Sequence, residues 1–218
     1  MSKKQRFSFA DFFSRSSDFL KEGSPLDVVL ARFPALSVEG PWLAGGSLRR
    51  TLLHSPLDSD FDFFFASEDQ FKSFDAALKA KGCQVLYSNE HNVTYRMESV
   101  NSKSVGEDEF SDPSPELKIQ AIIIRWYSSL DDVLDSFDFT ICQFGYDGVD
   151  LVCGDYALWD LGRRRLVPHK ITFGTASVRR LLKYTSQGFT LCAGSATSFL
   201  EQVAANPSSI QSDIKYID

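Results

Sequence analysis

Residues Trp42 to Phe65 read WLAGGSLRRTLLHSPLDSDFDFFF, and the order of residue types in this stretch decides what the rest of the chain can be. A short apolar run is broken by Gly45-Gly46, a helix follows, and a second apolar run begins at Phe61, so the stretch predicts strand, tight turn, helix, strand. The glycine pair lets the backbone take positive φ and approach another group closely, which residues with a Cβ do only at a cost. Ser47 is placed to cap the helix. Backbone N–H groups at a helix start, aided by the helix dipole, make a seat for phosphate oxygens. Arg49, in the first turn, carries a fork of donors that could reach the same phosphates.

The second half of the stretch carries the acids. Residues two apart on a strand share a face, so Asp60 and Asp62 project together while Phe61 and Phe63 enter the core. Two carboxylates side by side oppose folding unless a cation lies between them. Mg²⁺ accepts such hard oxygen ligands and keeps its remaining positions for water and substrate phosphates. A glycine pair alone is usually a turn and an Asp-x-Asp alone a solvated strand face; in this order and spacing they point to a nucleotide- and metal-binding unit.

GGSLRR followed by SDFDFFF resembles the signature of the DNA polymerase beta-like nucleotidyltransferase superfamily, and most of all the head of class II tRNA nucleotidyltransferases and bacterial poly(A) polymerases, whose motif runs GGxxRD and then DxD. Arg50 stands where that motif has its Asp. A second resemblance lies in SFDFTICQFGYDG, residues 136 to 148, which is similar to the RRDFTxNALxYD element of the same enzymes: Asp138, Phe139 and Thr140 align with Asp-Phe-Thr, and Tyr146 and Asp147 with Tyr-Asp. The resemblance implies that Asp138 lies beside the nucleotide, near the ribose. Ser136-Phe137 replaces the arginine pair, so triphosphate contacts are sought at Arg49, Arg50 and later basic residues, with Arg180 and Lys183 the candidates downstream.

In many members of the superfamily a third carboxylate lies on a strand at about Leu117 to Trp126; the matching residue is Gln120, which is neutral. Either two carboxylates suffice or another acid contributes, and Asp138 is a candidate for that role as well as for the ribose. Its third possible role is to cap a turn after a helix around Leu130 to Leu134. The segment ASVRRLLKYTSQGFTL, residues 176 to 191, resembles the family's neck helix, but the Glu-Asp-x-x-Arg set that reads the base there has no counterpart, so specificity for C then A is not implied.

Composition agrees with a compact enzyme. The chain has 218 residues, 43% of them hydrophobic, with 19 phenylalanines, enough for one domain or a domain and a small appendage. A net charge of −6 excludes a strongly basic nucleic-acid binder, so any such contact is local. Arg163 to Arg165, Lys170, Arg179, Arg180 and Lys183 form the concentrated positive stretch, which could face phosphates or be a solvated helix face. Cys83, Cys142, Cys153 and Cys192 are scattered without a CxxC pair, which predicts buried free thiols rather than zinc or disulfides. The basic N-terminus lacks an apolar run for a signal peptide or membrane span, so a cytoplasmic protein with no membrane partner is expected.

Helices are predicted over residues 8 to 21, Pro25 to Phe33, Glu68 to Lys81 and Ala196 to Ala205, and strands over Cys83 to Tyr87, Asn92 to Met97 and Leu117 to Trp126. Residues 98 to 115 are polar and acidic and predict a loop whose Glu98, Glu107, Asp108 and Glu109 are solvated.

The fold class expected is α+β, the nucleotidyltransferase fold: a mixed, mainly antiparallel sheet flanked by helices, with a catalytic domain over 1–168 and a small helical neck-like segment over 169–218. The function expected is metal-dependent transfer of a nucleoside monophosphate from a nucleoside triphosphate, ATP first among them, to an acceptor hydroxyl on an RNA or tRNA 3′ end or on a protein, a partner toxin included. Catalysis and Mg²⁺ or Mn²⁺ binding fall to Asp60 and Asp62; nucleotide binding falls to Gly45, Gly46, Ser47, Arg49, Asp138, Arg180 and Lys183. The alternative is a catalytically reduced member of the fold acting as a binding or regulatory module. Nothing in the sequence sets an oligomeric state.

Overall fold

The computed structural model describes residues 4–9, 26–56, 59–99 and 116–210. The described elements are β1 (Gln5–Ser8), α1 (Leu26–Leu30), β2 (Trp42–Ala44), α2 (Gly46–Leu52), β3 (Phe61–Phe64), α3 (Glu68–Ala80), β4 (Gln84–Ser88), β5 (Asn92–Met97), β6 (Leu117–Ile122), α4 (Leu130–Asp135), β7 (Phe144–Tyr146), β8 (Asp150–Cys153), α5 (Ala157–Gly162), α6 (Gly174–Ser186) and α7 (Ala193–Ala205), with 3₁₀ turns at Thr140–Cys142 and Pro207–Ser209. The strands form one sheet in the order β1-β8-β7-β2-β3-β6-β5-β4. Its ladders are antiparallel except β3 with β6, which run parallel. This is the mixed, mainly antiparallel sheet flanked by helices that the resemblance implies.

Alternation on β3 sorts its side chains. Phe61 and Phe63 are fully buried on the face covered by α3, where Phe63 meets Phe74 with ring centroids 4.8 Å apart and Phe65 meets the same ring at 5.3 Å. Phe64 points to the other face and packs with Trp42, Tyr127 and the α4 residues Leu130, Val133 and Leu134. That second face is covered only in part. α4 takes the end beside Phe64, and Asp60 and Asp62, which share the face, are left in an open cleft.

α3 follows its sequence signals. Ser67 accepts from the Gln70 N–H as N-cap, Glu68 and Asp69 sit at the positive end of the dipole, and Gly82 ends the element at φ 81°. β6 stops at Ile122 rather than Trp126: both of its ladders end there, Asn92 of β5 and Phe64 of β3 standing opposite Ile122, and one further backbone bond, from the Ile123 N–H to the His91 carbonyl at 2.8 Å, closes the β5 side. β1 was not anticipated; four residues of a basic terminus pair with β8 from Gln5↔Cys153 to Ser8↔Asp150. Ser8 therefore belongs to a strand, and residues 10–21 of the helix expected over 8 to 21 lie outside the described residues, as do Glu107, Asp108 and Glu109. The helix expected over Pro25 to Phe33 is confined to Leu26–Leu30. The four cysteines are free, and Cys192 differs from the other three in being exposed. Among the described residues no helix is long and apolar enough to cross a membrane.

The β7–β8 turn shows what the Tyr146-Asp147 pair does here. Asp147 Oδ1 accepts from the N–H groups of Val149 and Asp150 at 3.0 and 2.7 Å, and its Oδ2 pairs with Arg6 at 3.0 Å. Gly148 completes the turn at φ 92°, and a Cβ on it would lie 2.5 Å from the Leu36 carbonyl oxygen. Backbone on one side and positive φ on the other leave no room to adjust. Gly148→Ala is therefore expected to cost about 2–4 kcal/mol of stability, read from the midpoint of urea unfolding.

Candidate functional site

β2, β3 and β6 lie side by side, and the residues at the same level on them build the site. Ala44 stands opposite Asp62, and Asp62 opposite Gln120. The chain leaves β2 at Gly45, whose N–H donates to the Phe144 carbonyl at 2.8 Å. Gly45 has φ 96° and ψ −130°, a conformation that requires glycine, and the position its Cβ would take is 3.6 Å from Asp62 Oδ2. The turn thus brings bare backbone against the carboxylate, as the glycine pair predicts. α2 begins at Gly46 with Gly45 as its N-cap. Ser47 does not cap it; its hydroxyl is buried without a hydrogen-bond partner.

Asp60 and Asp62 line one cleft of about 640 Å³ with Gly45 and Gly46 on one side and Arg180 and Lys183 of α6 across from them. Burial, together with the Asp60 charge beside it, pushes the Asp62 carboxyl up to about 7, against the pull of Arg180, Lys183 and Lys118. An anion destabilised in this way is what a divalent cation relieves, so the pair fits Mg²⁺ or Mn²⁺ held with water and phosphate oxygens. Protein ligands alone would not complete a cage: among the described residues no three His, Cys, Asp or Glu converge. Gln120 occupies the position where a third acid was sought, and its side-chain amide donates to Asp60.

The remaining sequence candidates divide. Arg180 Nη1 donates to Asp138 Oδ2 at 2.7 Å, and the Ser177 hydroxyl donates to the same oxygen at 2.9 Å. Asp138 is 5% exposed and its carbonyl accepts from the His169 N–H, so it is more than a turn cap: it locks α6 to the sheet domain and aims Arg180 along the cleft wall. It precedes a bridge between Phe139 and Pro168 and the 3₁₀ turn at Thr140.

Arg49 is 3% exposed, its guanidinium 4.4 Å from the Tyr184 ring centroid and 3.3 Å from Gln187 Oε1, so it braces α2 against the end of α6 at the cleft floor. Arg50 donates to the Pro56 carbonyl. Lys170 lines the cleft with Arg180 and Lys183. The arginine run lies elsewhere: Arg163 stacks on Trp159, Arg164 donates to the Gln187 carbonyl and Arg165 pairs with Asp160.

Sequence reasoning missed Lys118. It lies two residues before Gln120 on the same face of β6, and its ammonium is 3.1 Å from Asp60 Oδ2. The period of two was the available signal, since a strand that brings Gln120 to the acids brings Lys118 as well.

The family model for "Gad2: Gabija anti-defense 2 family protein" matches residues 4–164. The chain belongs to this family. Among curated proteins none matches it in sequence. Of solved structures, a Thermotoga maritima CCA-adding enzyme complexed with tRNA is similar with a TM-score of 0.58 and 15% identity over 92% of this chain. A CCA-adding enzyme in complex with ATP is similar at 0.56 and 14% over 93%, and a tRNA-processing enzyme in its apo form at 0.50 and 21% over 75%. At these identities the likeness shows the fold, which is nucleotidyltransferase-like. The chain spans less than half the length of these proteins, 46%, 46% and 42% respectively.

Proposed function

We propose that this Gad2-family chain is a metal-dependent nucleotidyltransferase that moves a nucleoside monophosphate from a nucleoside triphosphate, ATP first among them, to an acceptor hydroxyl. The observation that carries the reading is the convergence in one cleft of Asp60 and Asp62 with the Gly45-Gly46 turn and, opposite, Arg180 and Lys183. Mg²⁺ or Mn²⁺ at the two carboxylates would supply positive charge at the reacting phosphate oxygens. The glycine turn lets the triphosphate approach the backbone closely, Arg180 and Lys183 neutralise it from α6, and Asp138 holds Arg180 in place and is proposed to stand near the ribose. In the reaction the acceptor oxygen bonds to the α-phosphorus, the bond from that phosphorus to the α,β-bridging oxygen breaks, and pyrophosphate leaves. The hydroxyl proton is lost to water at the open side of the cleft. Catalysis comes from positioning and charge neutralisation.

The family's name speaks of action against Gabija defence. We therefore place the acceptor, RNA or protein, among the components of that defence in the cytoplasm. Calorimetry with ATP, GTP, CTP and UTP tests the nucleotide half: binding is expected with Mg²⁺ and is expected to be lost with chelator. Labelled nucleotide offered with candidate RNAs and proteins tests the transfer half. Gln120, neutral at the third ligand position, favours a second reading, a binding module on the same fold. Partner binding that persists in Asp62→Asn, with no incorporation by the unmodified chain, would support that module instead.

A further inference from the structure

The face of the sheet that carries the acids carries a cation beside them. Gln120 on β6 stands opposite Asp62 on β3, Asp60 immediately precedes β3, and the side chains of Lys118 and Gln120 both donate to one oxygen, Asp60 Oδ2. The glycine turn stands on the β2 side of the carboxylates and Lys118 on the β6 side, so the two flank the pair. If the triphosphate takes the glycine side, the acceptor hydroxyl arrives at Lys118. The next strand offers no compensating acid: Thr94 is opposite Gln120 and Arg96 opposite Lys118.

Charge decides what this arrangement holds. Two-metal phosphoryl-transfer sites set their ions about 3.5–4 Å apart and need enough anionic ligand to bridge them. Here the formal charge of Asp60, Asp62 and Lys118 is −1, and Gln120 contributes none. A single divalent ion held by Asp62 and Asp60 suits that balance. A second would be pressed against an ammonium that already holds Asp60 Oδ2, with like charges repelling at short range.

We propose that the site takes one divalent ion rather than two, and that the Lys118 ammonium supplies the positive charge on the acceptor side of Asp60. The proposal rests on the nucleotidyl-transfer reading above and adds the metal count to it. Lys118, hydrogen-bonded to Asp60 and open to the cleft, stabilises the negative charge gathering on the attacking oxygen and the α-phosphate. Gln120 holds Asp60 without adding an anion that would recruit a further ion.

The count is measured on the full chain with Mn²⁺ and an ATP analogue carrying a methylene at the α,β bridge, which cannot be turned over. After gel filtration removes free nucleotide, electron paramagnetic resonance is expected to show one Mn²⁺ per chain with an uncoupled six-line spectrum. Lys118→Met combined with Gln120→Glu is expected to bind two, with a spin-coupled signal. The milder Lys118→Met alone, checked for folding by circular dichroism, is expected to bind Mn²⁺ about tenfold tighter without nucleotide, because a neighbouring cation is gone. Two coupled ions in the unaltered chain would overturn the proposal, as would a folded double variant that still holds one or a Lys118→Met variant with unchanged affinity. No binding of nucleotide at all would sink the transferase reading itself, a different result from nucleotide bound with the wrong number of ions.

Discussion

Asp62→Asn is expected to abolish nucleotidyl transfer, by at least about 10³-fold, while raising the thermal stability of the metal-free protein above pH 7. The two effects share one cause. Burial and the Asp60 charge hold the Asp62 carboxyl at about 7 in the folded state against an ordinary 3.8. The folded chain therefore binds this proton more tightly than the unfolded chain does, and stability from this group is full below about pH 4 and is lost as pH rises through 7. A shift of that size in a water-free site would correspond to about 4 kcal/mol; solvent in the open cleft screens it, and an effect of about 1–2 kcal/mol, or roughly 2–8 °C in Tm, is expected. The gap between the Tm of Asp62→Asn and that of the unaltered chain should open between pH 4 and 7 in the presence of chelator. Adding Mn²⁺ or Mg²⁺ should close it, because the ion stabilises only the carboxylate form. A constant gap across that range would show that the Asp62 charge is not under the strain described.

The second large effect is expected at Asp138. Its Oδ2 accepts from both Arg180 and Ser177 in a nearly closed pocket, so Asp138→Ala leaves a guanidinium and a hydroxyl without their acceptor. Removing one member of a buried hydrogen-bonded charge pair costs several kcal/mol; Arg180 is 36% exposed and can turn to water, so about 2–3 kcal/mol is expected here. Triphosphate affinity should fall at least tenfold in the same variant, because Arg180 is no longer aimed along the cleft. Asp138→Asn keeps an acceptor and separates the roles. Mn²⁺ affinity within about twofold of the unaltered chain, with a changed preference between ribo- and deoxyribonucleotides, would mark a ribose contact; a loss of Mn²⁺ affinity would mark a metal ligand. No change in either would leave Asp138 with the positioning of Arg180 as its role.

Much of this architecture was legible in local pattern. The strand, glycine turn, helix and strand from Trp42 to Phe65 follow from apolar runs and a residue pair that only a strained turn requires, and the alternation Asp60-Phe61-Asp62-Phe63 settles which side chains enter the core, since a strand has a period of two whatever its partners. α3 was readable for the same reason, its cap, charges and glycine stop all lying within its own residues. The likeness of residues 136 to 148 to a known motif pointed to Asp138, yet not to what it touches, because Arg180 lies 42 positions away and only the packing of α6 on the sheet brings the two within 2.7 Å.

Pairing decided the rest. β1 could not be read from Lys4 to Ser8, whose residues carry no strand alternation and become a strand only because β8 offers a free edge. Arg49, at the right spacing to meet phosphate, lines the cleft but lies under Tyr184, since α6 packs over α2 and an aromatic face is there to receive the cation. Lys118 joins the acids because β6 runs parallel to β3 in one register out of several the sequence allowed. The local sequence determined that two carboxylates would share a face beside a glycine turn, because that depends on neighbours in the chain. Only the tertiary structure decided which cations stand around them, because that depends on which strand and which helix the fold sets alongside.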